Sequence, residues 1–72
     1  MVLIVLCTFP DADTAASVTR TLVEEKLVAC GNILPGVRSI YAWEGAIEDT
    51  TEALVVFKTE SSAYARLEKR LL

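Results

Sequence analysis

Histidine is absent from this sequence, and cysteine is scarce. Without an imidazole, Ser-His-Asp and Cys-His catalysis are excluded, as is every zinc site that requires histidine. The two cysteines, Cys7 and Cys30, are too few for a disulfide framework and form no Cys-X-X-Cys pair. Both lie in or beside apolar runs, so their first interpretation is that of small buried hydrophobic residues.

Positive charge is also limited, because seven Lys and Arg residues face ten Asp and Glu residues, for a net charge of −3. The basic residues are scattered, which argues against nucleic-acid binding, since that function needs a basic face. No apolar run approaches the roughly 20 residues of a membrane span, and the first run has no basic residues before it, unlike a signal peptide. We therefore expect no nucleic-acid partner, no membrane association and a cytoplasmic location.

Apolar residues, by contrast, make up 53% of the 72 residues, enough for one small hydrophobic core. A chain this short is only marginally stable alone and usually needs a disulfide, a metal or an oligomer. The expected organisation is a single domain over residues 1–72.

Two continuous apolar runs, residues 2–7 and 53–57, predict strands that are buried on both faces and therefore central in a sheet. Between them, Asp11 is the predicted N-cap of a helix that begins at Ala12 and ends near Gly31. The helical spacing predicts one core row and a second row beside it, formed respectively by Ala15, Val18 and Leu22 and by Ala16, Val23 and Leu27.

Strand character returns after this helix, and the dipeptide Pro35-Gly36 predicts a bend or bulge within it. Residues 37–44 alternate, so that Tyr41 and Trp43 point to one side of the strand. Gly45 predicts a chain reversal, with residues 47–50 in the outer part of the hairpin. A final helix follows Ser61, with an apolar stripe formed by Tyr64, Leu67 and Leu71.

The predicted order is β-α-β-β-α, which is the opening of the ferredoxin-like split β-α-β sandwich, an α+β fold. In that fold, two helices cover one face of an antiparallel sheet of strand order 4-1-3-2. The fourth strand is absent here, which would leave residues 2–7 as an exposed apolar edge. Two interpretations stay open: the 72 residues are the front part of a longer chain, truncated at the C-terminus, or a strand from another subunit fills the gap.

The two helices leave the other sheet face uncovered, although the predicted central strands are apolar on both faces. An apolar surface of that size exceeds the few hundred Å² that monomers usually expose. Subunit association is therefore expected.

Several sequence fragments resemble the CutA divalent-cation tolerance proteins. They occur in the family's order and at its spacing, and they are residues 5–8 with Pro10-Asp11, residues 22–30, residues 32–36, residues 39–45, and Glu52 with Lys58-Thr59. The resemblance covers nearly the whole chain. It implies a ferredoxin-like subunit, a homotrimer whose sheets face inward, and a non-enzymatic response to divalent metal ions, with copper as a possible ligand.

The resemblance also implies a metal-ligand position at Cys7, where the family has a proposed copper thiolate. The family's His-Pro-Tyr segment and last strand, which include another proposed copper ligand, are missing here. A lone thiolate makes a poor site, because selective soft-metal binding needs two to four converging ligands. The competing interpretation of Cys7 is a buried thiol.

Other candidate sites are weaker. The carboxylates of Glu44, Glu48, Asp49 and Glu52 gather near the hairpin, where solvated charge is favoured over a weak hard-cation site. Tyr41 and Trp43 favour a core or subunit contact. The sequence contains no nucleophile–base pair and no phosphate loop, so no enzyme is expected. The alternative function is a trimeric small-molecule sensor with ligand clefts between its subunits.

Overall fold

The computed structural model describes residues 1–72 as an α+β chain with three strands and two helices. The elements are β1 (Val2–Phe9), α1 (Ala12–Glu24), β2 (Cys30–Trp43), β3 (Ala46–Glu60), a 3-10 turn (Ser61–Ala63) and α2 (Tyr64–Leu71). The sheet order is β1-β3-β2, and both neighbouring pairs are antiparallel. This is the predicted ferredoxin-like arrangement without its fourth strand, so β3 is central and β1 forms an edge.

The hydrophobic core lies between the helices and one face of β3. Alternate side chains of β3 point to this side, and the side chains of Val55 and Phe57 are completely buried. Leu22 of α1 and Leu67 of α2 pack against them in the same cluster. Burial of each such side chain contributes about 1.5–3 kcal/mol. The predicted stripe of the second helix is confirmed at Leu67, which is buried, and at Leu71, which packs against the core, whereas Tyr64 is 39% exposed.

Helix α1 ends earlier than the sequence predicted. It begins as expected, because the Asp11 carboxylate accepts a hydrogen bond of 2.7 Å from the Thr14 N–H. At its other end, Lys26 adopts a left-handed conformation with φ of 59°. The Lys26 and Leu27 N–H groups donate to the carbonyls of Val23 and Leu22, which is a Schellman motif. The predicted end near Gly31 is wrong, because Gly31 lies inside β2.

The second predicted row of α1 is only partly correct. Leu27 is buried, but it lies beyond the helix, and Ala16 and Val23 are exposed. Thr19 takes the central position instead, next to Gly31 of β2. Because Gly31 has no side chain, α1 approaches the sheet closely at this point. The residue packed there is the polar Thr19 and not the apolar Ala16 or Val23 that the helical spacing favoured.

Strands β2 and β3 extend beyond the helices as a hairpin, here called the arm (residues 37–52). The arm ends in a two-residue turn at Glu44 and Gly45, whose φ values of 48° and 80° fit a type I′ hairpin turn. The predicted reversal at Gly45 is therefore confirmed. The predicted irregularity at Pro35-Gly36 is also confirmed, as a β-bulge between Leu34 and Val37. Residues 47–50 form part of β3, so the third strand is longer than predicted.

Candidate functional site

Cys7 lies on the helix-facing side of β1, beside an apolar cleft between β1 and α2. This cleft, here called the Cys7 groove, has a volume of about 230 Å³ and is lined by Val5, Leu6, Cys7, Tyr64, Leu67, Glu68, Leu71 and Leu72. The thiol is partly buried, and its nearest hydrogen-bonding partner is the Thr8 carbonyl oxygen, 3.8 Å from the sulfur. Cys7 is therefore a thiol within a largely apolar surface.

The surroundings of Cys7 do not by themselves form a metal site. Burial raises the pKa of the Cys7 thiol, which disfavours the thiolate that would bind a metal. No three His, Cys, Asp or Glu side chains of the chain converge. Glu68 is the only carboxylate in the Cys7 groove, and its oxygen accepts a hydrogen bond of 3.3 Å from the Tyr64 hydroxyl. One chain therefore supplies fewer ligands than a selective soft-metal site needs.

Cys30 lies away from Cys7, and both thiols are free. Cys7 is opposite Val55 of β3, whereas Cys30 is opposite Lys58 on the other side of that strand. With β3 between them and an offset of three residues, roughly 10 Å along the strand, a disulfide is geometrically excluded. Because β1 and β2 are both antiparallel to β3, they run parallel to each other on opposite sides of it.

The carboxylates of the arm do not form a shared site. Asp49 makes a bidentate ion pair with Arg38, with N–O distances of 2.6 and 2.9 Å. The Arg38 guanidinium lowers the pKa of the Asp49 carboxyl through this hydrogen bonding. Strand alternation places Glu48 and Glu52 on the other face of the arm from Asp49. A hard-cation site at the hairpin therefore has no support.

The sheet face opposite the helices, here called the open face, carries six of the twelve large apolar residues that are exposed. It is formed by the even-numbered residues of β1 and β3 and by the β2 residues opposite them, and it includes Val2, Ile4, Leu6, Leu34, Tyr41, Trp43, Leu54 and Val56. The side chains of Ile4, Leu6 and Trp43 are 58%, 63% and 61% exposed. The apolar side chains form one group on β1 and the adjoining part of β3, and the polar residues Ser39, Thr50 and Glu52 separate it from Tyr41 and Trp43. Single exposed apolar residues are common, but a group of them on one face indicates an interaction surface.

The β-bulge places the aromatic side chains of the arm on the open face. Before the bulge, odd-numbered β2 residues such as Ile33 face the helices, opposite Val55. After it, odd-numbered residues face the other way, since Tyr41 is opposite Glu48 and Trp43 is opposite Ala46. The extra residue at Pro35-Gly36 therefore brings both aromatic side chains to the same face as Leu6. The predicted common side of Tyr41 and Trp43 is confirmed.

Comparison with known proteins identifies the group to which this architecture belongs. A family model described as "CutA1 divalent ion tolerance protein" matches residues 3–72. The chain belongs to the CutA1 family. The resemblance drawn from the sequence fragments is thereby confirmed, and the match includes every strand and helix of the fold.

Similar CutA1 sequences are known from distant organisms. The divalent-cation tolerance protein CutA of Thermus thermophilus is 41% identical over 68 residues, which cover 94% of this chain and 66% of that protein. The CutA homolog of Xenopus laevis is 45% identical over 60 residues, which cover 83% of this chain and 40% of that protein. The chain thus spans two thirds or less of the length of these relatives.

Solved CutA1 structures share the fold. The Thermus thermophilus divalent cation tolerance protein superposes with a TM-score of 0.90 at 41% identity, covering 97% of this chain and 68% of its own. A Nostoc protein described as PII-like CutA superposes with a TM-score of 0.84 at 36% identity, and the match covers 93% of this chain and 62% of the Nostoc chain. A relative from Archaeoglobus fulgidus is described as periplasmic. It superposes with a TM-score of 0.91 at 36% identity, and the match covers 97% of this chain and 68% of the Archaeoglobus chain.

One feature of the site was not anticipated from the sequence. Tyr64 and Glu68 share the Cys7 groove, and their spacing of four residues on a helix was the available signal.

None of the helices combines the length and hydropathy needed to cross a membrane.

Proposed function

We propose that this chain is one subunit of a homotrimeric, non-enzymatic divalent-cation tolerance protein that acts in the cytoplasm. Residues 1–72 contribute a single domain to this subunit, as the front part of it. The observation that supports this proposal most strongly is the open face, where Ile4, Leu6 and Trp43 lie on the same side of the sheet and are more than half exposed. Aromatic and large aliphatic side chains at the centre of a surface are typical of subunit interfaces.

Trimer formation would stabilise the fold as well as cover this surface. Only nine hydrophobic residues are buried, so we expect a small free energy of unfolding for the isolated subunit. An interface made from the open face adds buried apolar area at about 25 cal/mol per Å² of surface. Sedimentation equilibrium tests the assembly directly: we expect the mass of three chains or a multiple of three, and no folded monomer at micromolar concentration.

The metal part of the proposal assigns Cys7 as the single soft ligand that the chain contributes. A thiolate favours Cu(I) among the biological metals, but Cu(I) must displace the thiol proton, and the raised pKa of this thiol makes that step more costly. Because the Cys7 groove offers only Glu68 as a further acidic ligand, a tight site needs ligands from outside the chain. We therefore expect weak Cu(I) binding.

Competition against a chromogenic Cu(I) chelator tests this assignment. Cys7→Ser should lose at least tenfold in Cu(I) affinity, because it replaces the only sulfur in the groove. Cys30→Ser is the matched control and should bind as the parent does, since Cys30 lies on another strand. Equal affinity of Cys7→Ser and the parent would refute Cys7 as a ligand.

The alternative of a small-molecule sensor is not supported. Clefts that bind anionic metabolites need several converging basic groups. The surface clefts of this chain contain at most one each, namely Lys26, Arg20 or Arg70, and the Cys7 groove contains none.

A further inference from the structure

The open face carries two charged side chains that have no ionic partner within the chain. Glu52 is one of the polar residues that separate the apolar group of β1 and β3 from Tyr41 and Trp43, and Lys58 lies within that apolar group. Both have even numbers on β3, so strand alternation places them on the same face. None of the ion pairs of the chain includes either residue.

The carboxylate of Glu52 is poorly prepared for further burial. Glu52 is already half-buried in the single chain, where it lies opposite Val37 of β2. Its only hydrogen bond comes from the Thr50 hydroxyl, 3.4 Å from one carboxylate oxygen. If neighbouring copies cover the open face, this carboxylate also loses water, and a buried charge is strongly unfavourable unless it is paired. The interface therefore needs a positive charge close to Glu52.

Lys58 is the only basic residue on the open face. All other Lys and Arg residues lie on the helices, in the loop after α1 or on the opposite face of the arm. Lys58 is exposed and lies between Ile4 of β1 and Cys30 of β2. The acidic residue next to it on this face is Glu60, whose carboxylate contacts the Met1 amino group at 3.0 Å. The Lys58 ammonium is thus free to bind a carboxylate of another chain.

We propose that Lys58 of one copy forms an ion pair with Glu52 of the neighbouring copy across the open face. The two residues cannot pair within one chain, because the extended strand between them separates them by roughly 20 Å. In a ring of three copies, each chain offers its Glu52 to one neighbour and its Lys58 to the other, so that every one of these charges is paired.

This inference rests on the proposed function and adds the contact that orients the copies. Apolar side chains alone specify the relative position of two surfaces weakly, whereas complementary charges fix it and exclude other arrangements. The pair brings the base of the arm of one copy to the apolar group around Ile4 of the next. The fourth strand of the ferredoxin-like order lies beside β1 in the plane of the sheet, so it leaves this face uncovered.

Charge reversal tests the pair by sedimentation equilibrium over a range of protein concentrations. Glu52→Lys and Lys58→Glu each place two like charges in every contact, so each should weaken the assembly at least thirtyfold. The double variant carries both substitutions, restores opposite charges and should recover most of the loss. Such recovery would show that the single variants failed through their charge and not through a damaged fold.

Glu48→Lys is the matched control, because Glu48 lies on the same strand and the same face, farther out on the arm. It should keep the mass of the parent. An assembled parent whose double variant is no more stable than the single variants would overturn the pairing and leave the proposed function standing. Recovery of Lys58→Glu by Glu48→Lys would also overturn it, whereas a folded monomeric parent would refute the proposed assembly itself.

Discussion

Two threonine hydroxyls are buried in this core, and they differ in one respect. The Thr59 hydroxyl donates a hydrogen bond of 2.7 Å to the Leu27 carbonyl, which ties β3 to the loop after α1. The Thr19 hydroxyl is equally buried and has no partner. A buried polar group without a hydrogen bond costs about 1–3 kcal/mol, so Thr19 is a local source of instability.

Valine substitution should therefore have opposite effects at the two positions. Thr19→Val keeps the shape of the side chain and removes the unpaired hydroxyl, so the free energy of unfolding should rise by about 1 kcal/mol. Thr59→Val leaves the Leu27 carbonyl without its hydrogen bond, so the free energy of unfolding should fall by about 1–3 kcal/mol. Urea denaturation measures both, and a change of the same sign at both positions would contradict this interpretation.

Surface carboxylates make stability depend on pH. The Thr14 N–H lowers the pKa of Asp11, Arg70 lowers that of Glu25, and Arg38 lowers that of Asp49. A carboxyl whose pKa is lower in the folded chain stabilises it above the unfolded pKa of about 4, and this contribution disappears as the pH falls through the folded pKa.

We accordingly expect the urea midpoint to fall between pH 4.5 and pH 2. Asp49→Asn should make the midpoint less sensitive to pH in this range, because Asp49 can no longer contribute. Midpoints measured for the parent and the variant at pH 7, 4.5, 3 and 2 give the comparison. A variant as sensitive to pH as the parent would show that the pair with Arg38 has no energetic role.

At the scale of elements, strands and turns were more predictable than the end of α1. Both apolar runs form strands, and Gly45 has a direct physical meaning because a type I′ turn needs positive φ values. The prediction that residues 2–7 are central and buried on both faces is not met within residues 1–72, where β1 lies at the edge of the sheet and Val2, Ile4 and Leu6 are exposed. The helix end was missed because Lys26, a residue with no turn preference, takes the left-handed position. Gly31 was taken as a helix stop, although its role is close packing.

Gly31 should not tolerate a side chain. A Cβ atom at this position would lie 2.6 Å from the Thr19 Cγ2 and 3.2 Å from the Phe57 ring. Gly31→Ala should therefore lower the free energy of unfolding by about 1–3 kcal/mol through overpacking. Denaturation of this variant by urea measures the effect.

Thr19→Ser removes the clashing methyl group and should recover part of the loss in the double variant with Gly31→Ala. Gly36→Ala is a useful comparison, because position 36 has open space and only its φ of 71° to oppose the substitution. If Gly31→Ala were as stable as the parent, the close approach of α1 to β2 would be wrong.

At the scale of the whole molecule, the fold and the exposed apolar residues of the open face followed from the sequence, because two helices cannot cover both faces of an apolar sheet. The residues that surround Cys7 could not be predicted from the sequence. Its position on β1 is local, whereas its neighbours Tyr64 and Glu68 come from the far end of the chain. Only the packing of α2 against β1 brings these residues together.

The central claim is that the open face is the subunit interface. Sedimentation equilibrium with matched lysine substitutions tests it most directly, because both target positions are exposed isoleucines. Ile4 lies on the open face, and Ile47 lies on the opposite face of the arm. We predict that Ile4→Lys dissociates the assembly and unfolds the chain, whereas Ile47→Lys keeps the mass of the parent. A folded monomer of the parent at micromolar concentration, or an intact assembly of Ile4→Lys, would contradict the account.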